Sequence, residues 1–243
     1  MRNRFDSIET SSDLRVHSRQ MAISRFISRT YGWMVLGLLT TAVVSFSIVR
    51  SETALEVLVG NRALFYACAI GQVLLVLGLT AALPRLSATQ ALFGFLGYSA
   101  LNGVVLSVIF LLYTLTSIAH VFVIAAGMFA GLALYGTLTR KDLTAVGSFV
   151  GMGLWGLLLV GLVNLFVGSQ ALSMGMAVAG VVIFSGLTAY DSQRIRAMAY
   201  DFSGGFYSEE EQGKGSILAA LGLYLNFINL FIHLLRLFGN RRD

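Results

Sequence analysis

The sequence predicts an all-α membrane protein of seven transmembrane helices, with the seventh helix central in the bundle. Of its 243 residues, 56% are hydrophobic and only 12% are charged, and the mean hydropathy is +0.78. Soluble domains usually carry about 25% charged residues, so this composition indicates a membrane protein. Seven long apolar stretches and a polar stripe along the last of them predict the number of helices and the central position of the seventh.

Each of the seven apolar stretches is long enough to cross a bilayer, which takes about 20 residues. They are residues 31–49, 63–83, 89–112, 117–138, 143–168, 171–192 and 216–238. Residues 1–29 are polar, hold six arginines and form a basic cytoplasmic arm. Residues 30–243 then form one seven-helix transmembrane domain, in which only the connection at residues 201–215 is long.

The placement of lysine and arginine predicts a cytoplasmic N-terminus, because loops on that side carry the excess of basic residues. Seven full spans put twelve basic residues inside and five outside. Arg236, Arg241 and Arg242 would lie inside only if the seventh segment were re-entrant, whereas its length of roughly 23 residues favours a full span. Since the basic residues flank apolar spans and form no single patch, the expected partner is the lipid bilayer and not nucleic acid.

Two glycine pairs have the four-residue spacing that lets membrane helices approach closely. They are Gly127 with Gly131 and Gly147 with Gly151. Either pair is a candidate for a tight helix crossing; the alternative is that glycine is simply common in membrane helices.

Polar side chains follow one face of the seventh segment. With about 100° of turn per residue, Asn226, Asn229, His233 and Arg236 fall within an arc of about 80°. Polar groups are costly against lipid, so this face is predicted to meet protein or a water-filled cavity. Asn229 and His233 either line such a cavity or only make hydrogen bonds that hold helices together.

Asp191 is the strongest single candidate for a functional residue. It is the only carboxylate in or at the edge of an apolar stretch apart from Asp142, which suits a helix start. An ionisable residue at such a depth is a functional hypothesis. The alternative is that the sixth helix ends near residue 190 and that Asp191 meets Arg194 in the headgroup region.

The chain offers little for catalysis or for a bound cofactor. It has no HExxH zinc motif, its lysines Lys141 and Lys214 lie in loops, and Cys68 is its single cysteine. An intramembrane aspartyl protease needs two carboxylates that share a proton, and only Asp191 is available. We therefore expect no enzyme activity, no metal site and no cofactor.

Four stretches resemble the bacterial branch of the Bax-inhibitor-one family, also called transmembrane Bax-inhibitor-motif proteins, whose bacterial members are inner-membrane proteins. The stretches are YGWMVLGLLTTA, YGTLTRKDL, GLTAYDSQRI and LYLNFINLFIHLLRLFGNRR. The resemblance runs from about residue 30 to residue 242. It implies a fold in which six helices surround the seventh, and a pH-sensitive calcium leak gated by two aspartates that share a proton.

By this resemblance, the aspartate of helix six falls on Asp191, and the aspartate of helix seven falls on position 226, where this chain has Asn226. A family arginine that pairs with the acid falls on Arg85, and the late arginine of helix seven falls on Arg236. Asparagine adds no second negative charge, so the coupled titration of two close carboxylates is lost. We expect pH sensing to be weak, or to depend on Asp191 with Arg85 as its partner.

The expected function is therefore a passive cation leak, with calcium implied by the resemblance, closed on the cytoplasmic side near Asp191. One alternative is a proton-coupled secondary transporter that uses Asp191 as its protonatable group. The other is a non-conducting scaffold that regulates membrane proteases or other membrane-protein partners.

Overall fold

The computed structural model describes the backbone of residues 2–242 and the side chains of residues 17–242. Within these residues the chain forms nine α-helices, namely α1 (Arg2–Arg50), α2 (Glu52–Gly60), α3 (Arg62–Ala82), α4 (Ala88–Leu106), α5 (Ile109–Leu112), α6 (Leu115–Leu138), α7 (Thr144–Val167), α8 (Gln170–Phe202) and α9 (Glu209–Phe238). A 3₁₀ turn, Leu83–Arg85, follows α3.

Seven helical stretches of the described chain are long and apolar enough to cross a membrane. They are His17–Arg50, Arg62–Arg85, Ala88–Leu112, Leu115–Leu138, Thr144–Val167, Gln170–Phe202 and Glu209–Phe238. The predicted class, an all-α membrane protein with seven transmembrane helices, is confirmed.

Helix α9 forms the core of the bundle. In its most apolar window 67% of the residues are buried, against 6–33% in the other six spans. It packs against α1, α4, α6 and α8, and Leu223, Tyr224 and Leu230 are fully buried. The central position that the polar stripe predicted for this helix is confirmed.

Helix α9 also runs the full height of the bundle. Near its start, Gly213 lies against Ala88 at the beginning of α4, and just after its end Gly239 lies against the ring of Tyr113, which follows α5. The helix is continuous over 30 residues, a length of about 45 Å. The re-entrant alternative for this segment is therefore wrong.

Helices α8 and α9 both extend beyond their apolar stretches. Helix α8 continues to Phe202 and α9 begins at Glu209, so only residues 203–208 connect them. The prediction of a long connection at residues 201–215 is wrong, because both helices continue through polar residues outside their apolar stretches. At the start of α9, the Ser208 hydroxyl accepts from the Glu211 N–H, and the Glu211 carboxylate accepts from the Ser208 N–H. This capping box, together with three glutamates in the first turn, stabilises the positive end of the helix dipole.

The polar N-terminal arm and the first span are one continuous helix, α1. Phe26 in the arm is buried, and its ring packs on that of Phe202 with centroids 5.0 Å apart. The Arg19 guanidinium Nε donates to the Ser203 hydroxyl at 3.0 Å. The C-terminal part of the arm is thus attached to the end of α8. Its cytoplasmic location stays a prediction.

The close helix crossings lie mostly at glycines outside the predicted pairs. A Cβ added at three of the predicted positions would meet no atom within 4 Å, namely at Gly127, Gly131 and Gly151. Gly147 does lie tightly against the ring of Tyr190. A closer crossing occurs at Gly136 in α6, where a Cβ would overlap the carbonyl oxygen of Ala189 in α8. The spacing prediction is wrong for Gly127 and Gly131, because spacing does not determine which side of a helix meets a neighbour.

Buried hydrogen bonds attach α9 to α1 and α4. The Tyr224 hydroxyl lies 2.7 Å from Thr41 Oγ1 and accepts from Asn102 Nδ2 at 2.6 Å. Thr41 Oγ1 in turn donates to the Ser99 carbonyl at 2.8 Å. All of these side chains are buried, so one phenol of α9 hydrogen-bonds buried side chains of two neighbouring helices.

Replacing Tyr224 with phenylalanine is expected to lower the free energy of unfolding by about 1 kcal/mol, because the variant leaves the Asn102 amide without this acceptor. Chemical denaturation in detergent micelles measures the change. Tyr66→Phe is the matched control, since Tyr66 is 62% exposed on α3, and we expect it to unfold like the parent. Equal losses in the two variants would contradict a stabilising role of the network.

Candidate functional site

Asp191 and Asn226 meet where α8 packs against α9. Nδ2 of Asn226 donates to Oδ2 of Asp191 at 2.7 Å. Asn226 is 5% exposed and Asp191 is half-buried. One turn earlier on α9, Gly222 leaves space beside the carboxylate, since a Cβ there would lie 3.9 Å from Asp191 Oδ2. The structure thus brings together the two residues that the family resemblance paired.

Asp191 lies within α8 and not at its end. The helix continues to Phe202, so the alternative of a helix that ends near residue 190 is wrong. Next to Asp191, the buried Ser192 hydroxyl donates to the Thr188 carbonyl and accepts from the Tyr31 hydroxyl of α1 at 3.2 Å. Contacts from α1 and α9 therefore hold the turn that carries the carboxylate.

Asp191 has a neutral partner. Among the side chains of residues 17–242, the one salt bridge joins Lys214 to Glu210, and Asp191 forms none. Arg194, one turn further along α8, is exposed. The site is therefore a half-buried carboxylate whose hydrogen-bond partner in the described chain is an amide, with no cation in direct contact.

Arg85 is not part of this contact. It ends the 3₁₀ turn that contains Pro84, and its side chain is exposed. The helix before this turn, α3, lies at the edge of the bundle with 6% of the apolar window of its span buried, and it packs mainly against α4. Asp191 lies instead between α8 and α9. The pairing of Arg85 with the acid, which the resemblance implied, is not made in this structure.

The remaining residues of the polar stripe do not reach Asp191. Asn229 is half-buried, and its Nδ2 donates to the Leu225 carbonyl of its own helix at 2.8 Å. His233 is buried, and its ring stacks on that of Phe184 with centroids 5.7 Å apart. Arg236 is exposed at the end of α9. The stripe therefore divides into one contact with Asp191 and a separate cluster towards the C-terminal end of the helix.

A second set of contacts near the site had no clear sequence signal. Gln193 accepts from the Leu143 N–H at 2.9 Å and donates to the Lys141 carbonyl at 2.8 Å. The Arg196 guanidinium donates to the Thr137 carbonyl at 2.7 Å. Both side chains follow Asp191 within two turns, just beyond the apolar stretch at residues 171–192. They attach α8 to the last turn of α6 and to the connection between α6 and α7, so a movement of α8 at the site also involves these segments.

Asp142 in the same connection has the role expected of a helix-start residue. Its Oδ1 accepts from the Thr144 N–H at 2.9 Å and from the Thr144 hydroxyl at 2.6 Å. The two hydrogen bonds hold the pKa of the Asp142 carboxyl below its usual range. Asp142 therefore precedes the N-cap of α7, hydrogen-bonds the first residue of that helix and takes no part in the Asp191 site.

A carboxylate–amide contact between the sixth span and a central seventh span defines the class of the protein. It is a multi-pass helical membrane protein that carries an ionisable residue between its helices, where such residues mark ion or substrate pathways, proton relays or helix pairing.

Comparison with known proteins assigns the chain to a family. The sequence model of the family described as "Inhibitor of apoptosis-promoting Bax1" matches residues 23–243. The chain is 44% identical to the inner membrane protein YbhL of Escherichia coli (strain K12) over 220 residues, which cover 90% of this chain and 93% of YbhL. It is also 40% identical over 232 residues to an uncharacterized protein of Borreliella burgdorferi, covering 95% and 99% of the two chains. The protein RP147 of Rickettsia prowazekii is 39% identical over 227 residues, covering 91% and 92%.

The chain therefore belongs to the Bax-inhibitor-one family, as the four sequence stretches predicted. It is a multi-pass membrane protein homologous to a bacterial inner-membrane protein.

Proposed function

We propose that this protein provides a passive leak path for cations, with calcium as the first ion to test, and that the Asp191–Asn226 contact closes the path. The observation that supports the proposal is the Asp191 carboxylate, which lies between α8 and α9 with a neutral amide as its hydrogen-bond partner and without an ion pair among the described side chains. A carboxylate without a cationic partner at such a depth attracts a mobile cation. Calcium itself follows from the family resemblance.

Closure follows from the packing around the pair. Leu223 and Leu230 lie about one turn to either side of Asn226, within about 60° of it around α9, and both are fully buried. For a cation to pass Asp191, α9 must therefore move relative to α8, and this movement breaks the hydrogen bond from Asn226 to Asp191. A hydrogen bond to a charged group is worth about 1.5–3 kcal/mol, which is small enough to leave a minor open population.

Replacing Asp191 with asparagine tests the role of the charge, because the substitution removes the charge and keeps the shape. We expect calcium flux into liposomes, followed with an enclosed fluorescent indicator, to fall by about tenfold or more. A charge pair about 4 Å apart contributes roughly 4 kcal/mol at an effective dielectric constant of about 20, so a tenfold loss needs only part of that energy.

The matched control for this experiment is Asp201→Asn, which makes the same change of charge on the same helix at an exposed position. Its flux should equal that of the parent. Undiminished flux through Asp191→Asn would place the path elsewhere. Saturating flux that depends on a proton gradient would favour the secondary transporter, and a stable complex with a membrane-protein partner without any flux would favour the scaffold.

A further inference from the structure

A cavity of about 820 Å³ opens at the C-terminal end of α9, among the ends of α4, α5, α7 and α8. On α9 its lining begins at Ile232, nearly two turns beyond the Asp191–Asn226 contact. Most of its wall is apolar, with side chains that include Leu106, Ile109, Leu157, Met176, Ala177 and Ile232. The leak path proposed above makes no use of this space.

The cavity opens at the outer surface of the helical bundle, with an apolar rim. Leu112, Leu165 and Met174 form part of its rim and are 53%, 79% and 47% exposed, and all three belong to membrane-spanning stretches. Exposed leucine and methionine side chains in stretches of this hydropathy are suited to contact with acyl chains. A lipid tail can therefore enter the cavity from the side without passing through water.

The end of the cavity is positively charged. Arg236 and Arg241 both line it, and no acidic side chain is among its lining residues. Neither arginine makes an ion pair with any side chain of residues 17–242. Two guanidinium groups beside an apolar cavity are complementary to a ligand that has a negative head and a hydrocarbon tail.

Residues 239–242, here called the C-terminal strap, fix the position of Arg241. The Arg242 N–H donates to the Leu112 carbonyl at 3.0 Å, and the Asn240 N–H donates to the Ser117 hydroxyl at 2.9 Å. Arg241 itself pairs with Tyr113 in an isolated antiparallel bridge. The backbone that carries this guanidinium is thus held at the cavity before any ligand binds, which lowers the entropy cost of binding.

We propose that this cavity binds an anionic phospholipid of the surrounding membrane. The phosphodiester lies at Arg236 and Arg241, where guanidinium groups match phosphate oxygens in bidentate geometry, and one acyl chain follows the apolar wall. The bound lipid then joins the end of α9 to α5 and α8, independently of whether the protein conducts cations.

The headgroup assignment is tested by native mass spectrometry of the purified full chain in detergent micelles, with phosphatidylglycerol or phosphatidylcholine added. We expect the parent to retain phosphatidylglycerol in preference to phosphatidylcholine. In a variant that combines Arg236→Gln with Arg241→Gln, the affinity for phosphatidylglycerol should fall by roughly 25-fold, since each arginine near an anionic lipid surface contributes about fivefold. Arg242→Gln is the matched control, because Arg242 does not line the cavity, and its affinity should equal that of the parent.

The position of the acyl chain is tested by Gly161→Leu, which leaves both arginines in place. Gly161 lines the cavity, and an added Cβ there would come no closer than 3.9 Å to another side chain, that of Met176. Leucine should therefore fold normally, occupy part of the cavity and lower retention of phosphatidylglycerol severalfold. Unchanged retention would overturn the placement of the chain in the cavity. Equal retention of the two lipids, or an equal loss in the Arg242 control, would overturn the assignment of the headgroup to Arg236 and Arg241.

Discussion

Replacing Asn226 with aspartate is expected to give a calcium leak that rises steeply with pH. The variant places a second carboxylate where the Asn226 amide now lies 2.7 Å from Asp191. Two carboxylates at that distance share one proton and titrate as a pair. While the shared proton is present, it joins α8 to α9 and keeps the path closed. Once the proton is lost, two negative charges repel each other and the helices separate. Flux should therefore increase with pH, by about tenfold per pH unit through this titration.

The parent should show little pH dependence near neutrality, because the Asn226 amide donates to Asp191 without giving up a proton of its own. Liposome flux recorded over a series of pH values compares the two proteins. Asn229→Asp is the matched control: it adds a carboxylate three residues further along α9, at a side chain that now hydrogen-bonds the Leu225 carbonyl and not Asp191. A flat profile for Asn226→Asp would mean that the contact is not the gate. A steep parent profile that Asp191→Asn abolishes would contradict the weak pH dependence.

Adding a single methyl group at Gly136 is expected to lower the free energy of unfolding by about 1–3 kcal/mol or more, as overpacking of a filled interior does. The Cβ would overlap the carbonyl of Ala189, so α6 and α8 must separate. Ala189 stands two residues before Asp191, and we therefore also expect a higher basal leak. Gly131→Ala in the same helix is the control. A Cβ there meets nothing within 4 Å, and alanine should be neutral or stabilise the helix by up to about 1 kcal/mol. Equal unfolding curves for the two variants in detergent would contradict a close crossing at Gly136.

The fold class and the central position of α9 could be predicted because both follow from whether a side chain is tolerated in contact with lipid. Hydropathy separates residues that tolerate lipid from residues that do not, and Asn226 and His233 on one face exclude lipid from that face. The angular positions of the polar residues predict only which side of the helix they lie on. They do not predict which neighbour lies opposite at each height. For this reason, Asn226 reaches Asp191 while Asn229, one turn further, turns to its own backbone.

Two further differences between the predicted and the observed structure also arise from contacts that the residue pattern does not specify. Hydropathy locates the part of a helix that crosses the membrane, whereas the helix ends depend on hydrogen bonding. The start of α9 is marked by the S-x-x-E pattern of Ser208 and Glu211, which lies outside the apolar stretch. The closeness of α6 and α8 at Gly136 depends on a tertiary contact that the spacing of glycines does not specify. The pairing of the Asp191 carboxylate with Asn226 was predicted from the family resemblance and not from periodicity.

The enclosure of α9 also has a consequence for biosynthesis. The ribosome completes α1, α4, α6 and α8 before it makes the helix on which all four pack. Until then, the Asn102 amide and the Asp191 carboxylate lack the side chains of Tyr224 and Asn226 that satisfy them. The earlier spans therefore enter the membrane as an incomplete ring, and tertiary assembly ends in one late insertion that supplies the core and the carboxylate's partner together.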